Sequence, residues 1–285
     1  MKHKNKLKIY IPSNEIARYQ GVLLKALSAG AKVLKKKFLH VSIRYKGRAN
    51  LVTEADILSQ KAILSVIARL APLHDYQAEE NAVRNTGYPF RWVIDPLDGT
   101  TNYAHGYPAS CVSIALLFKD QPIFGGVEDP FRGERFIAEK NRGAFLNGKK
   151  ISVSKTKLLR ESLLITGFAY DRHRHSHFYV ERLRKFLLAS HDIRRSGSAA
   201  LDLAWIACGR ADGFWEFRLN PWDVAAGWLL VEEAGGRVTD FSGKRWSRPS
   251  VFGPQTLASN GRIHSEMLSY FKGLKFPKDL GSVTE

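Results

Sequence analysis

The chain has 285 residues, 44% hydrophobic and 25% charged, which permits a large buried core and excludes a disordered or low-complexity protein. Lysine and arginine number 44 against 27 acids, a formal net charge of +17, which attracts anionic substrates and polyanions without naming one. Apolar runs such as 112–118 and 228–231 are far too short to span a bilayer.

The basic N-terminus (Lys2, Lys4, Lys6, Lys8) is followed only by residues 9–12 where a secretory signal needs a long apolar stretch. Ser13 and Asn14 before Glu15 suggest a helix cap, and a helix is predicted to Phe38 on the stripe Ile16, Val22, Leu23, Leu27, Val33 and Leu34. Residues 44–50 read as a basic, glycine-containing loop. Leu51, Val52 and Thr53 lead into a second helix over 54–70, closed by Pro72. Ala78, Glu79 and Glu80 fall in a polar loop before a strand at Trp92. Strands are predicted at 111–118, 122–127 and 135–138, and Asn147-Gly148 turns the chain towards 151–153. The first half therefore reads as helices on a largely antiparallel sheet.

The second half alternates more regularly. Strands are expected at 162–167, around Ile193, at 211–216 and at 237–241; helices at 177–188, from Gly197-Ser198-Ala199-Ala200 through Cys208, and at 222–234, closed by Gly235-Gly236. A lobe boundary is expected near 150–160. Residues 1–155 would form an α+β lobe and 156–285 an α/β lobe, together one compact unit. Cys111 and Cys208 lie far apart in apolar stretches, the pattern of buried structural thiols in a reducing compartment, so a cytoplasmic location is expected. The basic residues are dispersed in short clusters, with no zinc-finger spacing or aromatic RNA-binding motif, so nucleic-acid binding is not expected as the main function.

The most informative segment is 92–103, Trp-Val-Ile-Asp-Pro-Leu-Asp-Gly-Thr-Thr-Asn-Tyr. An apolar β-favouring run ends in Asp95, Asp98 follows three residues later, and Gly99 with Thr100 and Thr101 opens a turn into a helix. Two carboxylates and bare amides at the end of a strand suit a divalent cation and the phosphate it polarises. Asp223, after Pro221-Trp222, lies in the first turn of a predicted helix, where an acid alone would be an ordinary cap. Glu79 and Glu80 taken singly would be exposed loop acids.

These residues together carry a resemblance. Segment 92–108 resembles the first motif of the inositol monophosphatase family, and Asn220-Pro221-Trp222-Asp223-Val224-Ala225-Ala226-Gly227 with Glu233-Ala234-Gly235-Gly236 resembles its second. Ala78-Glu79-Glu80 is similar to the family's Gly-Glu-Glu segment, and Leu51-Val52-Thr53 with Asp56 to an upstream stretch. The similarity runs from about residue 15 to 265. Ala78 and Asn50 depart from the family pattern, which has glycine and aspartate there.

The resemblance implies a layered αβαβα sandwich of the inositol monophosphatase and fructose-1,6-bisphosphatase type, with most metal ligands in the first lobe. One Mg²⁺ would be held by Glu79, Asp95 and the Leu97 carbonyl, a second by Asp95, Asp98 and Asp223, and a third, weaker ion near Glu79. Gly99 and Thr100 amides would cradle phosphate. Thr100 would orient the attacking water, with Asp56 accepting the threonine proton and Glu79 helping as base. Asp98, Gly197, Ser198, Ala199 and Glu216 would contact a ring of hydroxyls. Glu216 suits a polyol and suits a second phosphate poorly.

The expected activity is hydrolysis of myo-inositol 1-phosphate. Fructose-1,6-bisphosphate, histidinol phosphate and NADP are alternatives, because the basic segment 171–177 could admit a bulkier or doubly phosphorylated substrate. The histidines there imitate a metal site but lack carboxylate ligands and read as an exposed loop. A phosphatase fold that binds RNA or a transcription partner through its basic surface is the alternative from another class. The resemblance also implies a homodimer and inhibition by Li⁺.

Overall fold

The computed structural model describes residues 13–40, 42–45, 51–248, 252–274 and 276–277. Asn50 and the basic N-terminal run lie outside the described residues. The chain begins with α1 (Ser13–Lys37), the short hairpin β1 (Ile43–Tyr45) and β2 (Leu51–Thr53), and α2 (Glu54–Leu70). Then come β3 (Asp75–Ala78), β4 (Val83–Arg84), β5 (Phe90–Asp98), the single-turn helix α3 (Thr100–Ala104), β6 (Cys111–Phe118), β7 (Gln121–Asp129), β8 (Glu134–Glu139), β9 (Gly143–Leu146) and β10 (Lys149–Lys150). An eight-stranded sheet results, in the order β10-β9-β8-β7-β6-β5-β3-β4. Only β3 and β5 pair in parallel among its ladders.

The second half contributes β11 (Leu163–Thr166), α4 (Arg172–Ala189), β12 (Asp192–Arg194), α5 (Ala199–Ala207), β13 (Gly213–Phe217), α6 (Pro221–Glu233), β14 (Arg237–Thr239), β15 (Gln255–Ser259) and α7 (His264–Ser269). Its five-stranded sheet runs β12-β11-β13-β15-β14, with β11 parallel to both β12 and β13.

Strand alternation builds the layers. Trp92, Ile94, Val112, Ile114 and Leu116 face Leu23, Leu27 and Ile63 of α1 and α2. Val93, Cys111, Ala115 and Leu117 face the other way, onto Leu201, Leu203, Val224 and Leu230 of α5 and α6. Phe214, Ile165 and Ala258 close that central core from the five-stranded sheet. On that sheet's outer face Leu164, Trp215 and Leu257 meet Phe186 of α4 and Met267 of α7. Each fully buried aliphatic or aromatic side chain contributes roughly 1.5–3 kcal/mol. The order of layers is α, β, α, β, α, a mixed α+β sandwich.

Several segments differ from the sequence expectation. Residues 43–45 form a strand rather than the start of a loop, and Ala78 ends strand β3 rather than lying in a polar loop. β3 is polar in sequence because its Asp75 carboxylate accepts backbone N–H bonds from Thr86, Gly87 and Tyr88, a local network with no alternating pattern. The basic segment 171–177 is not a loop: Asp171 only precedes α4, which starts at Arg172 and is kinked at His175. Residues 151–153 are not a strand; the edge is made by β9 and β10. Cys111 is fully buried, but Cys208 only partly so. No helix among the described residues is long and apolar enough to cross a membrane.

Candidate active site

The acids of segment 95–98 share one side of the sheet because β5 carries a bulge. Asp95 pairs with Ser113 and Asp98 with Cys111, so three steps along β5 oppose two along β6. In a regular strand, residues three apart point to opposite faces. The extra residue reverses the alternation: Leu97 joins the α1–α2 core, and Asp98 turns towards α5 on the opposite side. Two contacts hold the bulge. The Leu97 N–H donates to Asp95 Oδ1 at 3.0 Å, and Ser59 Oγ on α2 donates to the Pro96 carbonyl at 2.8 Å.

Glu79 reaches the same end of the sheet through the parallel β3–β5 pair. Ala78 is in register with Ile94, and the Glu79 N–H donates to the Ile94 carbonyl at 3.1 Å. Gln60 on α2 fixes the next residue, its side-chain amide exchanging two hydrogen bonds with the Glu80 backbone at 3.1 and 3.2 Å. Asp223 comes from the third position of α6, where its carboxylate accepts the Asn220 N–H at 2.6 Å. Asp95, Asp98 and Asp223 bring ligand oxygens within 4.8 Å of one another.

That proximity is electrostatically costly. Burial, and then the charges of Glu79, Asp98 and Asp223, push the Asp95 carboxyl well above the usual range. Burial and the Asp98 charge push Asp223 up to about 8. Asp98 is raised by burial, against stabilising bonds from Ser198, Ala200, Ala199 and Gly99; the first two lie at 2.7 and 2.6 Å. Hard oxygen donors this close, with this much unbalanced charge, fit a divalent cation such as Mg²⁺.

Gly99 has φ +89°, and a Cβ there would meet the Ala109 carbonyl at 2.8 Å, so only glycine makes the turn from β5 into α3. Thr100 Oγ1 has two acceptors in reach, Asp56 Oδ1 at 3.1 Å and the Leu97 carbonyl at 3.0 Å. Asp56 is held in turn by the capping box of α2: its Oδ2 accepts the Thr53 N–H at 2.7 Å and the Thr53 hydroxyl at 2.6 Å. Burial pushes the Asp56 carboxyl up to about 6, leaving it mostly ionised at neutral pH.

Across the cleft stand the ends of the parallel strands β11 and β13. Glu216 is 8% exposed and pushed up to about 8 by burial and the charge of Asp202. Gly167, just after β11, provides its space: a Cβ there would lie 2.2 Å from the Glu216 carboxyl atoms. Gly197 and Ala199 line the same cleft, while Ser198 is buried behind it against Asp98. The cleft encloses about 270 Å³ and is also lined by Tyr170, Arg172, Arg195 and Arg218. A larger groove, about 680 Å³ between α1 and the β8–β9 edge, shares none of these residues.

The site residues expected from sequence thus converge on one cleft and its supporting shell. Gln60, Ser59, Gly167, Arg195 and Arg218 were not anticipated; Gly167 and the arginines carry no motif, and Ser59 and Gln60 read as ordinary helix residues.

The family model for the inositol monophosphatase family matches residues 15–274. The chain belongs to the inositol monophosphatase family. It is 47% identical over 243 residues to the inositol-1-monophosphatase of a Synechocystis species, covering 85% of this chain and 84% of that protein. It is 41% identical over 250 residues to the Nus factor SuhB of Xylella fastidiosa, covering 85% and 90%. The inositol monophosphatase structure from Anabaena superposes with a TM-score of 0.81 at 40% identity, over 92% of this chain and 98% of that one. As an inositol monophosphatase family member, the chain is a phosphoric monoester hydrolase, and its αβαβα layers are the architecture of such structures.

Proposed function

We propose that this protein hydrolyses the phosphate monoester of a polyol with Mg²⁺, myo-inositol 1-phosphate foremost among singly phosphorylated ones. The observation carrying this reading is the cluster of buried Asp95 with Asp98 and the half-buried Asp223, oxygens within 4.8 Å of one another, Asp98 and Asp223 lining one cleft with Glu216. Glu79, Asp95, the Leu97 carbonyl, Asp98 and Asp223 would hold two ions and Glu79 a third, weaker one. Bound there, Mg²⁺ supplies charge for the phosphate oxygens and acidity to a water.

The remaining steps belong to the chain. The Gly99 and Thr100 amides, at the entry to α3, hold the phosphate. Thr100 Oγ1 passes its hydrogen to Asp56 and keeps its lone pairs for the attacking water, fixing the water's direction. Asp56 does this as a carboxylate anchored on Thr53, so the water's position is tied to the first turn of α2. Glu79 helps as base. Glu216 with the Gly197–Ala199 segment takes the hydroxyls of the leaving alcohol, and Asp98, braced by Ser198 and Ala200, would serve both as a metal ligand and as a substrate contact. We further propose a cytoplasmic location and, as the family resemblance implies, a homodimer sensitive to Li⁺.

The test is phosphate release from inositol 1-phosphate, glycerol 2-phosphate and histidinol phosphate with Mg²⁺ and with EDTA. Metal-dependent turnover of inositol 1-phosphate is expected, and failure on every ester overturns the reading. A second reading has its own observation: a net charge of +17 in a chain similar to proteins named Nus factor SuhB. RNA or transcription-partner binding that survives Asp95→Asn and falls steeply with salt would support it.

A further inference from the structure

We propose that Arg218, with Arg172 beside it, reads a second anionic group on the substrate's alcohol, so that the cleft favours polyol phosphates carrying a further phosphate or carboxylate. This deepens the phosphatase reading above and rests on it. Arg218 has φ +60°, a left-handed backbone that costs a side-chain-bearing residue energy and that glycine adopts freely. Among the described residues, the other non-glycine residues with positive φ do not line the cleft. A strained residue at the mouth of a reaction site is where function offsets the strain.

The side chain is placed for that task. The Arg218 N–H donates to the Pro254 carbonyl at 2.8 Å, which anchors the strained turn two residues beyond Glu216. Its guanidinium lies 3.1 Å from Asp171 Oδ2, and the side chain stays 47% exposed. The other Asp171 oxygen accepts the Tyr179 hydroxyl at 2.7 Å, so Asp171 is itself fixed. One edge of the guanidinium is thereby pinned, and its remaining N–H groups have no protein acceptor among the described residues. Arg172 lines the same cleft and makes only a long 3.4 Å contact to the Ala169 carbonyl. Arg195 differs: its charge acts on the Glu216 and Asp202 carboxyls, lowering both against their burial.

Forked guanidinium donors match phosphate and carboxylate oxygens. Neither Arg218 nor Arg172 approaches the metal-binding acids closely enough to pair with them in this structure. Glu216 offers no positive charge to a second anionic group, whereas Arg218, two residues further on, lines the same cleft and does.

The test uses matched pairs with Mg²⁺: inositol 1-phosphate against inositol 1,4-bisphosphate, and glycerol 2-phosphate against 2-phosphoglycerate. The wild-type protein should prefer the doubly anionic member of one pair by about tenfold or more in kcat/KM, the scale of a charged hydrogen bond. Which pair shows it identifies phosphate or carboxylate. Arg218→Gly, which suits the left-handed backbone and so should fold, should cut that preference about tenfold, mainly through KM; Arg218→Lys should retain part of it. A preference absent from the wild-type protein, or unchanged in Arg218→Gly, overturns the inference. Turnover of the singly anionic esters without any such preference sinks this inference alone, whereas no turnover of any ester sinks both readings.

Discussion

Gly167→Ala offers a sharp test of how the substrate side of the cleft is built. An ideal Cβ at residue 167 falls 2.2 Å from the Glu216 carboxyl carbon and both its oxygens, where ordinary contact begins near 3.4 Å. The carboxyl must therefore retreat by roughly 1 Å, or the ends of β11 and β13 must part. A displacement of about 1 Å at a substrate contact costs up to ~100-fold in turnover, and overpacking a buried site costs about 1–3 kcal/mol of stability. We expect kcat/KM for inositol 1-phosphate to fall between about tenfold and a hundredfold, with a lowered Tm. Steady-state phosphate release and thermal melts followed by circular dichroism read both. A second variant separates the clash from general damage: Glu216→Ala removes the atoms the new methyl would strike, so Gly167→Ala should add little further loss in that background. A Gly167→Ala protein within twofold of wild-type kcat/KM would refute the reasoning, as would full additivity of the two substitutions.

The metal-free protein should lose stability as pH rises. Asp95, Asp223 and Glu216 all have folded-state values above the ordinary carboxylate range, the last two at about 8. Between an unfolded value of about 4 and those values, the folded state holds the extra protons, so raising the pH withdraws them and favours unfolding. EDTA-treated protein should melt lower at pH 8 than at pH 6, with Mg²⁺ narrowing the gap; an equal or higher melt at pH 8 contradicts this account. Asp95→Asn should reduce turnover by about a thousandfold, the several kcal/mol a metal ion supplies, yet raise the Tm of the metal-free protein by removing a carboxyl that burial and its acidic neighbours disfavour. Asp56→Ala should cost about 1 kcal/mol through the lost α2 cap and lower turnover through Thr100, whereas Thr100→Val should lower turnover with a smaller change in Tm.

Much of the fold was legible where one physical cause dominates. The stripe through Leu23, Leu27 and Leu34 made α1 visible, and the apolar run at 111–118, broken only by Ser113, made β6 visible, since both faces of that strand are covered. The acids Asp95, Asp98, Asp223 and Glu79 were legible because their motifs are long. What escaped depends on tertiary context. The bulge after Asp95 leaves no mark in the sequence beyond Pro96, yet without it Asp98 would face the wrong core. β3 is too polar to show a strand pattern, and its neighbour β5 alone explains it. The start of α4 at Arg172 was hidden because a run of basic and histidine residues resembles a solvated loop. Gly167 is informative only once Glu216 is seen against it.

The clustered acids and the opposite wall of the cleft come largely from different parts of the chain. Asp56, Glu79, Asp95 and Thr100 hang on the eight-stranded sheet and α2, while the opposite wall is made of three short segments around Gly167–Arg172, Arg195–Ala199 and Glu216–Asn220. Those segments lie at or just beyond the ends of β11, β12 and β13, and only Glu216 and Phe217 among them take part in a ladder, so point changes there leave both sheets largely paired. A lineage can thus keep one reaction and drift between alcohols through a handful of codons. In this chain the arginine at 218 is where such drift would first register.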